Sequence, residues 1–229
     1  MIKDDSDNKK EIEKHDNVYV DAMLYNRTFY KDNAWQSLCL PFDIPVFTNT
    51  PFEGSEICTL KGTALENGTL TVSLQKVNSI EAGKPYLIKW ANGDNLFSPV
   101  FEGTVIKNCK IQPVKAGGIT FSGSFGPVNL KGGDTTSLFI GANNRLYYPE
   151  NDMTINSCRA YFKLDQDINP NSIHNIVLSY DGYDLDGAEL ITNDRPVDNI
   201  WYSIDGRRLS SRPSIPGIYI HNGKKVVVK

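Results

Sequence analysis

The chain has 229 residues, 40% hydrophobic and 22% charged, with 24 Lys and Arg against 27 Asp and Glu for a net charge of −3. This balance excludes wholesale disorder and a collagen-like fibre, and it offers no broad positive field, so no nucleic acid is expected as a partner. No stretch approaches the roughly 18 consecutive apolar residues that a membrane-crossing helix needs, so no transmembrane segment is expected.

In chain order, residues 1–16 are charged and lack the apolar stretch of a signal peptide, and they read as a flexible lead-in. Short β-branched or aromatic segments then recur at 17–25, 36–40, 56–60, 69–74, 85–90, 100–106, 119–125, 137–140, 145–148, 159–164 and 175–179. Gly, Pro, Asn and Asp separate them about every eight to twelve residues, the rhythm of an antiparallel sandwich or barrel. The expected fold is all-β, an antiparallel β-sandwich-like body over residues 17–180.

Several turns can be typed. Asn67-Gly68 fits a two-residue hairpin, and Asn143 and Asn144 suit a hairpin that visits the left-handed region. Gly83 and Pro85 mark a sharp turn into a half-buried strand, since proline can open a strand but not continue a central one. Residues 181–196 are acidic and weakly periodic and read as a linker or loop. In residues 197–229, two alternating segments meet at Asn222-Gly223, which predicts a β-hairpin unit. So small a piece does not usually fold alone, and it is expected to dock on the body or add strands to its sheet.

Cys39, Cys58, Cys109 and Cys158 are widely spaced without a C-x-x-C pair, which argues against zinc. Two disulfides and buried thiols both fit this pattern. The three histidines, His15, His174 and His221, stand beside no nucleophile motif. Asp43 and Glu81 are the acids to weigh for acid/base work, but the capping of a turn after Phe42 and the anchoring of the turn at Gly83 account for them without chemistry. No enzyme activity is expected.

Two binding readings remain. Asp181, Asp184 and Asp186 offer hard oxygen ligands to Ca²⁺, although the twelve-residue calcium-loop spacing is missing; no other cofactor is expected. Trp35, Trp90, Tyr147 and Tyr148 are candidates for stacking on the C–H face of a glycan. Strand alternation turns one of Tyr147 and Tyr148 inward and the other outward, and for Trp35 and Trp90 a role as core anchors is the stronger reading.

Asn26–Tyr30, Trp35–Phe42, Glu81–Trp90 and Ala160–Leu164 form a series similar to R-T-F, W-x-S-L-C-L-P-F, E-A-G-K-P-Y-L-I-K-W and R-A-Y-F-x-L. The series resembles a β-rich domain found near the C-termini of Bacteroidetes secreted and cell-surface proteins, some with leucine-rich repeats upstream, and the likeness spans Tyr19 to Lys229. The ending Asp205-Gly-Arg-Arg-Leu209, Gly217-Ile-Tyr-Ile-His221 and Asn222-Gly-Lys-Lys-Val-Val-Val-Lys229 is similar to a type IX secretion sorting tail. The resemblance implies a secreted or surface location and a noncatalytic role in adhesion, spacing or secretion, with a carbohydrate-binding module as the alternative. The implied partners are a glycan or another surface protein, and the secretion machinery through the terminal unit.

Overall fold

A computed structural model describes residues 1–180 and, beyond them, 183–184, 201–203, 208–209, 213, 217–221 and 224–228. The chain divides into two compact units, Met1–Gly187 and Ala188–Lys229. The first begins with β1 (Ile2–Lys3), the short helix α1 (Lys9–Lys14), β2 (Tyr19–Tyr25), β3 (Thr28–Phe29), β4 (Gln36–Cys39), β5 (Glu56–Glu66), β6 (Thr69–Lys76) and β7 (Pro85–Lys89). It continues with β8 (Leu96–Phe97), β9 (Val100–Val105), β10 (Val114–Ala116), β11 (Ile119–Ser124), β12 (Val128–Leu130), β13 (Ser137–Ile140) and β14 (Leu146–Tyr147). It closes with β15 (Met153–Ile155), β16 (Arg159–Leu164), β17 (Asn175–Tyr180) and β18 (Tyr183–Asp184). The fold is all-β, and the strands foreseen from alternation recur with ends shifted by a residue or two, except β5, which runs on to Glu66.

Six strands, in the order β18-β17-β6-β5-β7-β4, make the main sheet, and five, β10-β11-β16-β13-β14, make a second. Period-two alternation buries Leu70, Val72 and Leu74 of β6, and Ile119 and Phe121 of β11 with Phe162 and Leu164 of β16; these inner faces, with Leu60, Leu87 and Leu178, form one core. Phe121 and Phe162 stack at 4.1 Å, almost parallel.

β7 is buried on both faces. Leu87 points into that first core, while Tyr86, Ile88 and Trp90 point into another, shared with Leu38, Ile57, Phe42 and Phe52 and closed by Ala22, Leu24 and Phe101 of the β1-β2-β9 sheet. Within this second core Phe52 meets Phe29, Trp90 and Phe101 edge-on at 4.9–5.8 Å. Full burial of each such ring contributes about 1.5–3 kcal/mol.

Local backbone chemistry sets the connections. Asn67 and Gly68 both have positive φ (49° and 78°) between the paired Glu66 and Thr69, as a type I′ turn requires. Gly83 sits at φ 79°, and a Cβ there would lie 2.8 Å from the Lys110 carbonyl oxygen, so only glycine fits the turn before Pro85. Among the described residues pairing is mostly antiparallel, with two parallel exceptions, β1 with β2 and β6 with β17. The outer side of edge strand β4 is closed piecewise: Trp35 N–H donates to Asn144 Oδ1 (2.7 Å), Arg27 Nη2 donates to the Ser37 carbonyl (3.0 Å), and Cys39 N–H donates to the Cys158 carbonyl (3.0 Å). Such plugs leave few strand-edge groups for a stray chain to pair with.

Residues 1–16, expected as a flexible lead-in, are instead part of the body. β1 extends the β2 edge, and Ile2 and Ile12 are buried in the second core. Arg159 Nη2 donates to both Asp4 carboxylate oxygens (2.9 and 2.8 Å), Asn156 Nδ2 donates to Oδ2 (2.8 Å), and Ser157 N–H donates to the Asp4 carbonyl (2.7 Å). Arg27, 3% exposed, faces the same carboxylate at 3.6 Å and stacks over Phe29. Asn8 binds Lys3 through its N–H and C=O and donates to the Ser157 hydroxyl. The expected linker at 181–196 also begins inside the fold, because β18 pairs with β17 through Ser179↔Asp184 and Tyr180↔Tyr183.

The second unit contains β19 (Trp201–Ser203), β20 (Arg208–Leu209), β21 (Gly217–His221) and β22 (Lys224–Val228), ordered β20-β19-β21-β22. β21 pairs with β22 from Gly217↔Val228 to His221↔Lys224, leaving two residues for the connection; Asn222 and Gly223 themselves lie outside the described residues. Among the described residues these strands pair with one another and form a four-stranded sheet of their own, so the expected hairpin at 217–228 is part of a larger sheet and, of the two expected arrangements, strand addition to the body's sheet is not seen.

Ile12→Ala is expected to destabilise the protein by about 2–4 kcal/mol, as large-to-small changes in a core do. Asp4→Asn, which strands the buried Arg27 charge, costs about 3 kcal/mol. Urea denaturation monitored by tryptophan fluorescence reads both, and midpoints that do not move would show the segment to be loose after all.

Candidate functional site

The aromatic candidates separate by burial. Trp35 is 3% exposed: its ring meets Tyr180 edge-on at 5.5 Å, and Lys89 Nζ lies 4.9 Å above it. Trp90, equally buried, packs against Phe29 and Phe52, donates from Nε1 to the Glu53 carbonyl (3.1 Å), and has Lys31 Nζ 5.3 Å over its ring. Neither offers a free face to a sugar, so both serve as core anchors and the stacking role assigned to them does not hold.

Tyr147, in β14, and Tyr148, just after it, differ in exposure, Tyr147 exposed and Tyr148 half-buried. Tyr147 is 38% exposed, lies over Gly141, where a Cβ would come within 2.8 Å of the ring, and donates from its hydroxyl to the Ala142 carbonyl (3.2 Å). Tyr148 is half-buried against the first core, with its hydroxyl shielded and without a partner among the described residues; burial pushes its pKa up. Between Arg145–Tyr148 and Ile173–Ile176 runs an open trough of about 270 Å³. Both walls are held by backbone bonds: Gly141 N–H donates to the Arg145 carbonyl (2.9 Å), and His174 and Asn175 N–H both donate to the Gly68 carbonyl (2.7 and 3.1 Å). This trough is the place where a sequence-predicted ring meets solvent beside polar groups.

Alternation alone did not single out the other exposed rings, Tyr19, Tyr25, Tyr30 and Phe97, on β2, β8 and the residue after β3. Their signal was weak because an apolar residue on the outer face of a two-layer edge looks the same in sequence as one on the inner face.

The acids have structural partners. Asp43 Oδ1 accepts from Ala82 N–H (2.8 Å) and Oδ2 pairs with Lys107 Nζ; Glu81 pairs with Lys84 (2.7 Å), and its N–H donates to the Tyr86 hydroxyl (3.0 Å). Partial burial pushes the Asp43 carboxyl up, but the hydrogen bond from Lys107 and that from Ala82 outweigh it, so the carboxyl sits below its ordinary value. For the calcium candidates, Asp184 lies in β18 opposite Ser179, while Asp181 and Asp186 are outside the described residues. Among the described residues no three His, Cys, Asp or Glu side chains converge as a metal site would need. His15 Nδ1 lies 2.9 Å from the Glu11 carbonyl, His174 rests against Gly68, and of His221 only the backbone pairing in β21 is described.

All four cysteines are thiols. Cys39, Cys58 and Cys158 are buried and Cys109 is half-buried. Burial pushes the Cys158 thiol up to about 12 and raises Cys39 and Cys109 as well, which leaves little reactive thiolate at neutral pH. The buried-thiol alternative is therefore the one realised.

No family model, no curated protein and no solved structure matches the chain.

Two outcomes follow from these environments. The depressed Asp43 carboxyl stabilises the fold fully above the unfolded carboxylate value of about 4, and that contribution is lost as pH falls through the lower folded value. Asp43→Asn should therefore be less stable at neutral pH and should lose less stability than the parent on acidification from pH 5 to 3, measured by urea midpoints; parallel acid limbs would contradict the assignment. In native protein an aromatic disulfide reagent should label Cys109 slowly and the other three thiols only after denaturant is added.

Proposed function

We propose that this chain is a noncatalytic module of an exported or cell-surface bacterial protein, acting as an adhesive or spacer domain with a secretion-linked terminal unit. The observation that supports it is the use made of the residues carrying the resemblance. Phe29, Trp35, Leu38, Leu40, Phe42, Tyr86, Ile88, Trp90 and Phe162 are core, Gly83 is a turn, and Arg27 is the buried half of an ion pair. A series of this kind preserves a scaffold, and a scaffold shared among unlike proteins suits a module that carries or displays other domains.

Carbohydrate binding is the second reading, favoured by one feature: Tyr147, held against Gly141 and near Phe139, stays 38% exposed beside a polar-rimmed trough. The terminal β unit is read as the part that addresses the secretion machinery. Removing Trp201–Lys229 in a type IX-competent host is expected to abolish surface display while the body remains folded and retained in the periplasm. Undiminished display of the truncated protein would refute the sorting role.

A further inference from the structure

We propose that the free edge of β9 takes up an extended, positively charged segment of a partner protein as an added strand. The site is separate from the trough beside β14 and requires neither the carbohydrate nor the secretion reading. β9 ends the β1-β2-β9 sheet and, among the described residues, pairs only with β2. The register fixes which of its backbone groups are spare. Leu24 N–H donates to the Pro99 carbonyl (3.0 Å) and Ala22 stands opposite Phe101, so Pro99 and Phe101 turn their backbone toward β2. Val100 and Glu102 therefore turn N–H and C=O outward, two residues apart as an incoming strand requires.

Those groups border an open groove of about 380 Å³ between β9 and the loop after β4, within the roughly 300–1,000 Å³ typical of ligand sites. One end is shut where Lys107 N–H donates to the Pro41 carbonyl (2.7 Å). Past that bond, among the described residues, no hydrogen bond joins the loop at 42–51 to residues 100–104. The loop is occupied with itself. Pro45 and Pro51 have no N–H, while Asn49 N–H donates to the Glu53 carboxylate (3.1 Å) and Thr50 N–H to the Phe47 carbonyl (3.1 Å). Edge strand β4 is plugged by Asn144, Arg27 and Cys158, but β9 has no such plug at residues 100–102, and an edge left open in this way pairs readily.

Side chains at the groove select the occupant. Val46, 61% exposed, and Val100, 37% exposed, offer apolar contact to residues of an added strand. Glu102 is exposed, and its side chain has no ion pair among the described residues. Lys107 pairs with Asp43, and no lysine or arginine is among the described residues that line the groove. A cation opposite Glu102 therefore completes a cross-strand pair. A second copy of this chain is the poorer occupant, since β9 laid antiparallel on β9 about this point sets one Glu102 near the other.

Amide-resolved NMR and hydrogen exchange on the full chain test the site, with a capped six-residue peptide of alternating valine and lysine as probe. In the free protein the Val100 and Glu102 amides should exchange rapidly while Phe101 is protected. Adding the peptide should give saturable shifts at residues 100–104 and 45–51 and slow exchange of those two amides about tenfold. The same peptide with glutamate for lysine should bind about tenfold more weakly, and one methylated at every backbone nitrogen should not bind. Glu102→Gln, an exposed change, should weaken the lysine peptide about threefold. Protection of the Val100 and Glu102 amides before any peptide is added would overturn the proposal by showing an edge already paired. So would undiminished binding of the methylated peptide, or no shift at residues 100–104 with up to about 10 mM lysine peptide. Equal affinity for the two charge forms would overturn the choice of a basic segment. Signals of β9 that broaden with protein concentration alone would show pairing between copies and overturn the choice of a partner protein.

Discussion

The first unit is organised by one strand that has no outside. β7 lies within the main sheet with apolar layers on both faces, so Tyr86, Leu87 and Ile88 are all interior whichever way the pleat turns them. A strand buried on both faces reads as a continuous apolar run and not as an alternation, which is why Pro85-Tyr-Leu-Ile88 carries no polar residue. The two tryptophans follow from this. Trp90 leaves β7 into the aromatic cluster around Phe52, and Trp35 enters β4, the neighbour of β7, and seals the opposite core beside Tyr180. Rings so placed maintain the spacing of layers.

The second core also depends on charge. Arg27 is buried with Nε and Nη1 unsatisfied by any described hydrogen-bond partner, and the carboxylate that balances it belongs to Asp4, near the start of the chain. A buried guanidinium without its counter-charge is strongly destabilising. Asp4 is tied in turn to Arg159 and Asn156 at the entrance of β16. A single carboxylate thus joins three regions distant in sequence, and the residues around it, Asn8 and Ser157, complete the hydrogen bonding of the seam. The polar composition of residues 1–16 conceals this role.

What could be read in the sequence was local. Alternation located β2, β4, β6, β9, β11, β13, β16 and β17, a short apolar run located β7, and Asn67-Gly68 specified its turn, because side-chain period and positive φ are encoded within a few residues. The alternation at Tyr147-Tyr148 was legible for the same reason, although which ring would face outward was decided by Phe139 and Gly141 across the hairpin. The anchoring of residues 1–16 was not legible: two isoleucines among charged neighbours carry no periodic signal, and the partner of Asp4 stands 155 positions away. His174 and Asn175 gave no hint of the trough either, since it is the parallel docking of β17 on β6 that brings them opposite Arg145.

That parallel docking also bears on how the chain reaches its native state. β6 is complete at Lys76, yet its second neighbour is not available until Asn175–Tyr180 has been made, and the pairing runs from Thr69↔Asn175 to Leu74↔Tyr180. Contacts this remote in sequence impose a large loop-closure cost before they stabilise anything, and topologies rich in them fold in milliseconds to seconds, not microseconds. Until then the β6 edge stands open with Leu70, Val72 and Leu74 beside it, an adhesive surface of the immature polypeptide. A holding factor that recognises extended apolar segments would find its first foothold there.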